Sequence, residues 1–163
     1  MFWSVPCDFR VACQTRSWHP VLMQRALLLA LVLASCGPTN LVVDPEFTAA
    51  KVEAWTIGTG LFDVKNGVAR LEVTQAGFAA VASQKIAVEV GQEYNLTVRF
   101  GSGGAGIVAI GTTVEGTDVI TLNKTNTSGD FVARSANVFV VLQTETSAIG
   151  DFVAIDFLDL HKK

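Results

Sequence analysis

The most distinctive reactive side chain of this sequence is the thiol of Cys36, which follows a short apolar segment. Arg25 precedes a run of nine apolar residues, 26–34, and Ser35 separates that run from the cysteine. A basic residue, an apolar run and small residues, in that order, are typical of a secretory signal peptide. Nine residues are too few to span a bilayer, because a transmembrane helix needs about 20. The sequence therefore predicts an exported chain whose signal occupies residues 23–35.

Residues Leu33-Ala34-Ser35-Cys36 resemble the lipobox of bacterial lipoproteins. The resemblance implies that Cys36 receives a diacylglycerol thioether and becomes the N-terminus of a membrane-anchored chain. Several acyl chains hold a protein firmly, whereas one holds it only marginally. Gly37, rather than an aspartate, favours the outer membrane if the host is Gram-negative. The alternative is an ordinary signal peptide in which Cys36 is a small residue near the cleavage site.

Residues 1–22 lie before a signal that has its own methionine, Met23, and they show neither helical nor strand periodicity. We interpret them as a misassigned upstream extension, and an unusually long N-terminal region of the signal is the alternative. In either case we expect the mature chain to begin at Cys36. A short polar tether over 36–40, which includes Pro38, would then lead into the folded domain.

The expected mature chain offers little for catalysis. It keeps His161 as its one histidine and Cys36 as its one cysteine, so a serine–histidine–aspartate triad or a zinc site would lack residues. The carboxylates of Glu115, Asp118 and Asp130 lie in turn-like segments, where acidic residues are common. We therefore expect no enzymatic activity, and a glycosidase with paired carboxylates is the remaining enzyme alternative.

The composition is that of a folded domain without a nucleic-acid partner. Of the 163 residues, 50% are hydrophobic and 17% are charged, and the net charge at pH 7 is −3. Disordered chains combine low hydrophobicity with high charge, which this chain does not. Binding to the phosphates of a nucleic acid would need a basic surface.

The pattern from residue 41 onward predicts an all-β domain. In residues 94–100 every second residue is apolar, which is typical of a strand with one buried face. Asn66-Gly67 is typical of a type I′ hairpin turn. The glycine-rich run 101–106 lacks the Lys-Ser/Thr pair of a phosphate-binding loop. Strands separated by turn signals every 8–12 residues indicate a sandwich or barrel of nine or ten strands over residues 41–163.

Several segments, in this order, resemble the carbohydrate-binding modules that have the galactose-binding-like jelly-roll fold. The segments are 40–47, Trp55, 66–71, 81–86, 90–98 and 152–160. That group is common in bacterial surface proteins, secreted glycosidases and phage tail proteins. The resemblance implies a jelly-roll β-sandwich of two antiparallel sheets over residues 41–163, and it implies carbohydrate as the ligand.

In that group the sugar lies on a sheet face or in the loops at one end, and it usually needs an exposed aromatic ring flanked by amides or charges. Strand alternation places Asn95 and Arg99 on a face opposite the core, and it places Phe139 and Gln143 together on a face of another strand. If the two strands are neighbours, these four side chains form a polar groove with one aromatic ring. The alternatives are a solvated outer sheet face and a second packing face for Phe139.

Members of the group often hold a structural calcium ion between the first and last strands. Asp156 matches the carboxylate of the last strand, whereas Thr48 stands where the opening glutamate is expected and Phe157 replaces a second acidic or amide residue. Calcium takes 6–8 oxygen ligands, so Asp44 or Glu46 would have to supply the missing carboxylate. The resemblance therefore implies a structural calcium ion at Asp156, with Asp44 or Glu46 as its further carboxylate.

Together these patterns predict a membrane-anchored lipoprotein that displays a non-catalytic carbohydrate-binding module. The alternative is a structural or protein-interaction β-sandwich on a cell surface or virion, without a sugar site. The sequence does not indicate which protein such a domain would contact.

Replacement of Cys36 with alanine removes the thiol that lipidation requires. We expect the Cys36→Ala chain to leave the membrane fraction of the expressing cells, as measured by fractionation and immunoblotting. Ser35→Gly, which keeps a small residue beside the cysteine, should stay with the membranes. Unchanged membrane association of Cys36→Ala would contradict the lipoprotein prediction.

Overall fold

The computed structural model describes residues 38–48 and 51–163, which contain ten β-strands and a short 3-10 helix, Val52–Ala54. In chain order the strands are β1 Thr56–Thr59, β2 Leu61–Lys65, β3 Val68–Glu72, β4 Val81–Ala87, β5 Glu93–Gly104, β6 Gly106–Gly111, β7 Ile120–Leu122, β8 Ser128–Val132, β9 Asn137–Thr144 and β10 Phe152–Lys162. The predicted upstream extension 1–22, signal 23–35 and lipidation site Cys36 lie outside the described residues. Within the described ranges, no helix is long and apolar enough to cross a membrane.

The ten strands form two antiparallel sheets of five strands each. Sheet 1 has the order β1-β4-β9-β6-β7, and sheet 2 has the order β2-β3-β10-β5-β8. Only two pairs of consecutive strands are neighbours, β2–β3 and β6–β7, because most connections cross from one sheet to the other. The all-β jelly-roll sandwich that the sequence predicts is confirmed.

The β2–β3 hairpin forms where the sequence predicts it. Asn66 and Gly67 have φ values of 54° and 75°, which are the two positive φ values that a type I′ turn requires. The turn fixes the register, with Lys65 opposite Val68 and Leu61 opposite Glu72. A local turn preference thus sets the pairing of two complete strands.

The core lies between the two sheets and is built from the inward side chains of alternating strands. In β5 the residues Tyr94, Leu96 and Val98 are buried, and the intervening side chains point outward. Each large apolar side chain removed from water contributes about 1.5–3 kcal/mol to folding. An aromatic cluster lies within this core: the ring of Trp55 is 6.0 Å from that of Phe47 and 5.6 Å from that of Phe62.

The segment 40–45 ties both sheets together beside β10. β3 pairs with β10 only as far as Ile155, so the backbone of Leu158 and Leu160 is open on that side. Asn40 fills part of the gap, since its Nδ2 donates to Leu158 O at 2.8 Å and its Oδ1 accepts from Leu160 N at 3.0 Å. Leu158 N also donates to Pro45 O. Asn40, the last residue of the sequence-predicted tether, is therefore held against β10.

The same segment is bound to sheet 1 through Gln84, a buried side chain of β4. Val43 N donates to Gln84 Oε1 at 2.8 Å, and Gln84 Nε2 donates to Val43 O at 3.2 Å. An inward glutamine among apolar neighbours is stable only because its amide is paired in this way.

The sandwich has two distinct ends, which we call the tether end and the far end. Leu41 N donates to Leu160 O, so residues 38–40 lie at the tether end, where β10 finishes. The loops 73–80 and 145–151 lie at the far end, where β10 begins. β10 has 11 residues, so the two ends are about 36 Å apart at about 3.3 Å per residue.

Gln84→Ala should lower the free energy of unfolding by about 2 kcal/mol, because it leaves the backbone of Val43 without its two partners. Gln143→Ala, on the outward side of neighbouring β9, is the matched control and should change stability by less than about 0.5 kcal/mol. Denaturant unfolding followed by fluorescence measures both values. Equal stability of the two variants would show that the Gln84 contact does not hold the segment.

Candidate functional site

The structure does not bring the four sequence-predicted ligand residues together. Asn95 and Arg99 are on β5 in sheet 2, whereas Phe139 and Gln143 are on β9 in sheet 1. All four point away from the core, so the two pairs lie on opposite outer faces of the sandwich. The expected single groove is therefore wrong, because β5 and β9 are not neighbouring strands.

Phe139 belongs to a second apolar cluster, on the outer face of sheet 1. It packs against Val81, Ala109 and Val141, all of which are buried. This arrangement is the packing alternative that the sequence left open for Phe139. Gln143 lies in the same sheet, opposite Val81 on one side and Ile107 on the other.

The loop 112–119 restricts access to that face. A Cβ placed on Gly58 of β1 would lie 2.6 Å from Glu115 Oε1, so this loop reaches from β6 to β1 above the strands that separate them. Its base is closed by Asp118, which accepts hydrogen bonds from Thr112 N at 2.9 Å and Thr112 Oγ1 at 2.8 Å. These bonds lower the pKa of the Asp118 carboxyl. Phe139, on the same face, is half-buried.

Asn95 is already engaged on the outer face of sheet 2. Its Nδ2 donates to Asp130 Oδ1 at 2.6 Å, and its Oδ1 accepts from Thr97 Oγ1 at 2.9 Å. Lys163 Nζ donates to the other oxygen of Asp130 at 2.7 Å. The hydrogen bonds from Lys163 and Asn95 lower the pKa of Asp130, and those to Asp130 and Glu93 raise the pKa of Lys163. This network orders the surface and uses the groups that Asn95 would offer a ligand.

Arg99, by contrast, is accessible. Its side chain is 68% exposed, its Nε lies 4.0 Å from Asp156 Oδ2, and its guanidinium carbon lies 5.5 Å from the centre of the Phe157 ring. A β-bulge in β10 between Ile155 and Phe157 turns both Asp156 and Phe157 to the outer face. Of the four predicted ligand residues, Arg99 is thus the one whose hydrogen-bond donors are most available.

The three carboxylates expected to hold calcium do not form a cluster. Asp44 Oδ1 accepts hydrogen bonds from Thr48 N and Thr48 Oγ1, Glu46 is exposed, and Asp156 faces the guanidinium of Arg99. In residues 38–48 and 51–163, no group of three or more His, Cys, Asp or Glu side chains is arranged to hold a metal ion. The residues present therefore do not fit a calcium site of three carboxylates.

The feature that sequence reasoning missed is Phe78, in the loop 73–80 at the far end. Among the aromatic residues of the described chain, only Phe78 is largely exposed, at 55%. Gly77 precedes it with φ 86° and donates its N–H to Ser147 O at 3.0 Å, which holds the two far-end loops together. Ile149, 68% exposed, lies in the second loop. An aromatic residue directly after a glycine, between two strands, is the sequence signal that could have identified this position.

A cleft of about 420 Å³ lies beside β8 and offers few available groups. Its lining includes Thr112, Asp118, Asp130 and Arg134. Asp118 is bonded to Thr112, and Asp130 to Asn95 and Lys163. Most of its polar side chains are therefore already paired with each other or with neighbours.

Comparison with models of known protein families finds none that matches this sequence, and comparison with curated proteins finds no match. Solved structures do match the fold. The CBM4 structure aligns with TM-score 0.53 and 14% identity over 75% of this chain and 99% of its own. TmCBM61 in complex with β-1,4-galactotriose aligns with TM-score 0.51 and 12% identity over 77% and 99%.

The enzymatically active domain of bacteriophage CBA120 tailspike protein 4 aligns with TM-score 0.52 and 18% identity, over 76% of this chain but only 21% of the tailspike chain. Identities this low show a shared fold and nothing about the ligand. The described domain therefore has the β-sandwich fold of carbohydrate-binding modules.

Chelation tests the calcium expectation directly. Because the three carboxylates expected to hold calcium form no group arranged to hold a metal ion, and Asp156 faces a cation, we expect EDTA to leave the melting temperature of the chain within about 1 °C of its value in calcium. The Asp156→Ala chain should respond in the same way. A calcium-dependent rise in melting temperature that Asp156→Ala abolishes would show instead that Asp156 ligates the ion.

Proposed function

We propose that this chain is a non-catalytic carbohydrate-binding module, anchored through Cys36, whose sugar platform is Phe78 at the far end of the sandwich. The observation that carries the proposal is the exposure of Phe78, an aromatic ring that a folded domain would otherwise bury. Every other aromatic side chain of the described residues is buried or half-buried.

The surroundings of Phe78 have the composition of a sugar site. Sugar rings have apolar C–H faces and polar edges. A binding site contacts the faces with an aromatic side chain and the edges with a few polar groups. Thr74 and Gln75 are exposed in the same loop, and Ser147 is half-buried in the neighbouring one. Their hydroxyl and amide groups would bind the sugar hydroxyls at the rim of the ring.

The two ends of the domain suit display from a membrane. Pro38 lies at the tether end, and Cys36 precedes it by two residues, about 7 Å of extended chain. An anchor at Cys36 would hold the tether end near the lipid and leave Phe78 about 36 Å farther out, at about 3.3 Å per residue of β10. A ligand on the outside would then reach the far-end loops freely.

The structural neighbours support sugar as the ligand class by analogy of fold. One of them, TmCBM61, was solved in complex with a galactose oligosaccharide. The two carbohydrate-binding modules among these neighbours support binding rather than catalysis.

A protein-interaction domain is the second candidate, and Ile149 favours it. An exposed isoleucine in the same pair of loops extends the apolar area beyond what a sugar ring needs. The two functions differ in what they require of residue 78, because a sugar stacks on an aromatic face whereas a protein interface accepts any large apolar side chain.

Binding of the purified full chain, in detergent, to a broad glycan panel tests the proposal. Wild type should bind at least one glycan saturably. Phe78→Ala should weaken that binding about tenfold or more, equal to about 1.4 kcal/mol. Phe78→Tyr should retain it, and Phe78→Leu should lose it, because leucine keeps the apolar volume without the ring.

Val90→Ala is the matched control, since Val90 is 62% exposed in the turn at the tether end. It should bind like wild type. A folded wild-type chain that binds no glycan would refute the proposed function. Equal affinities of Phe78→Ala and wild type would show that the sugar does not bind at Phe78.

A further inference from the structure

We propose that the cleft between β5 and the loop 123–127 binds an anionic group carried by the sugar, a carboxylate or a sulfate, and that the glycan is therefore acidic. This inference rests on the proposed function and names the substrate class of that site. It depends on the charges of the cleft, its open strand edge and its position beside the far-end loops.

The cleft exists because β8 covers only part of β5. The pairing of the two strands ends at Thr97 and Ser128, with one further bond from Val98 N to Thr127 O at 2.9 Å. Beyond that point the edge of β5 is not paired with β8, and a cleft of about 380 Å³ opens beside it. Its lining residues are Val98, Arg99, Phe100, Gly101, Lys124 and Thr127.

The charge of this lining is positive, although the whole chain has a net charge of −3. Arg99 and Lys124 line the cleft, and no carboxylate is among the lining residues. Lys124 Nζ donates to Gly103 O at 2.7 Å, which holds the ammonium in place and leaves two of its three N–H donors available. A guanidinium fork with a nearby ammonium is well suited to bind a carboxylate or a sulfate.

Asp156 is the carboxylate next to this cleft, and it limits the affinity for anions. It lies 4.0 Å from Arg99 Nε, and a Cβ placed on Gly101 would lie 2.6 Å from its Oδ1. Its charge partly neutralises Arg99 and repels an incoming anion. Removal of that charge should therefore tighten the binding of an anion. A substitution that merely disrupts a binding site would weaken it instead.

A second cleft continues from this one toward the far-end loop 145–151. It has a volume of about 200 Å³, shares Lys124 with the first and includes Glu145 of that loop. Lys124 and Glu145 thus connect the cationic cleft to the far-end loops. Because Glu145 repels anions, we assign the acidic group to the first cleft and the uncharged parts of the sugar chain to the second.

Matched probes separate charge from sugar identity. The full chain in detergent is titrated by calorimetry with oligogalacturonide and with its methyl ester, which has the same backbone without the charge. A sulfated galactan oligosaccharide and its desulfated form are the second pair. We expect wild type to prefer the charged member of one pair at least tenfold, and that pair identifies the anion as carboxylate or sulfate.

Substitutions then show whether the preference for the charged probe arises in this cleft. Arg99→Gln and Lys124→Gln should each remove most of this preference, whereas Arg134→Gln and Lys65→Gln, at exposed cations outside the cleft, should keep it. Asp156→Asn should bind the charged probe a few-fold more tightly than wild type. Sodium chloride should weaken binding of the charged probe by wild type and leave the neutral one unchanged, which tests the inference without any substitution.

The outcomes distinguish this inference from the proposed function. Equal affinity for charged and neutral probes, with binding still lost in Phe78→Ala, would overturn the acidic ligand and leave the sugar-binding module intact. A preference for the charged probe that survives in both Arg99→Gln and Lys124→Gln would overturn the assignment to this cleft. Failure of wild type to bind any glycan would overturn both.

Discussion

The sandwich depends on the hydrogen bonding of β10, the central strand of sheet 2. A central strand needs partners along both edges, because buried backbone N–H and C=O groups are costly when unpaired. β5 supplies one edge, from Val153 to Lys162. The other edge is shared, first by β3 and then by the segment 40–45, which is held by Asn40. The last strand of the sequence is therefore completed by the first described residues.

This arrangement also sets the two ends of the molecule apart. The segment that completes β10 enters at the tether end, and the loops that precede β4 and β10 lie at the other. Gly77 and Gly150 link those loops through hydrogen bonds to Ser147 and Val73. The end residues of the loop 73–80, Val73 and Ala80, are buried in the core, whereas Phe78 between them and Ile149 of the other loop are exposed. The geometry that closes the core thus creates the surface to which we assign binding.

The outer faces differ for a similar reason. The loop 112–119 crosses the outer face of sheet 1, and on that face Val81, Ala109 and Val141 are buried. Sheet 2 carries ion pairs and side-chain hydrogen bonds around Asn95 and Asp130, and a cleft opens beside β5 where β8 stops. The positive cleft is a consequence of strand length: a longer β8 would have paired with the edge that now lies beside Arg99.

Strand alternation predicts which face of a strand is buried, but it does not predict which strands become neighbours. Alternation correctly gave the inward and outward faces of β5, because that pattern is set within the strand itself. It did not place β5 and β9 in different sheets, since strand order arises from connections that cross the sandwich. It also could not anticipate the bulge in β10, which shifts the alternation by one residue and turns Phe157 outward beside Arg99.

The sequence by itself determined the all-β class, the Asn66-Gly67 hairpin and the buried faces of the strands, because local propensity and periodicity govern them. It also contains the signal-like segment and Cys36, which are defined by the order of a few adjacent residues. The tertiary structure alone decided which faces are accessible, which side chains are already paired, and that Arg99 and Lys124 line one cleft. Those properties depend on residues far apart in the chain, and their meeting is fixed by the packing of two sheets around a shared core.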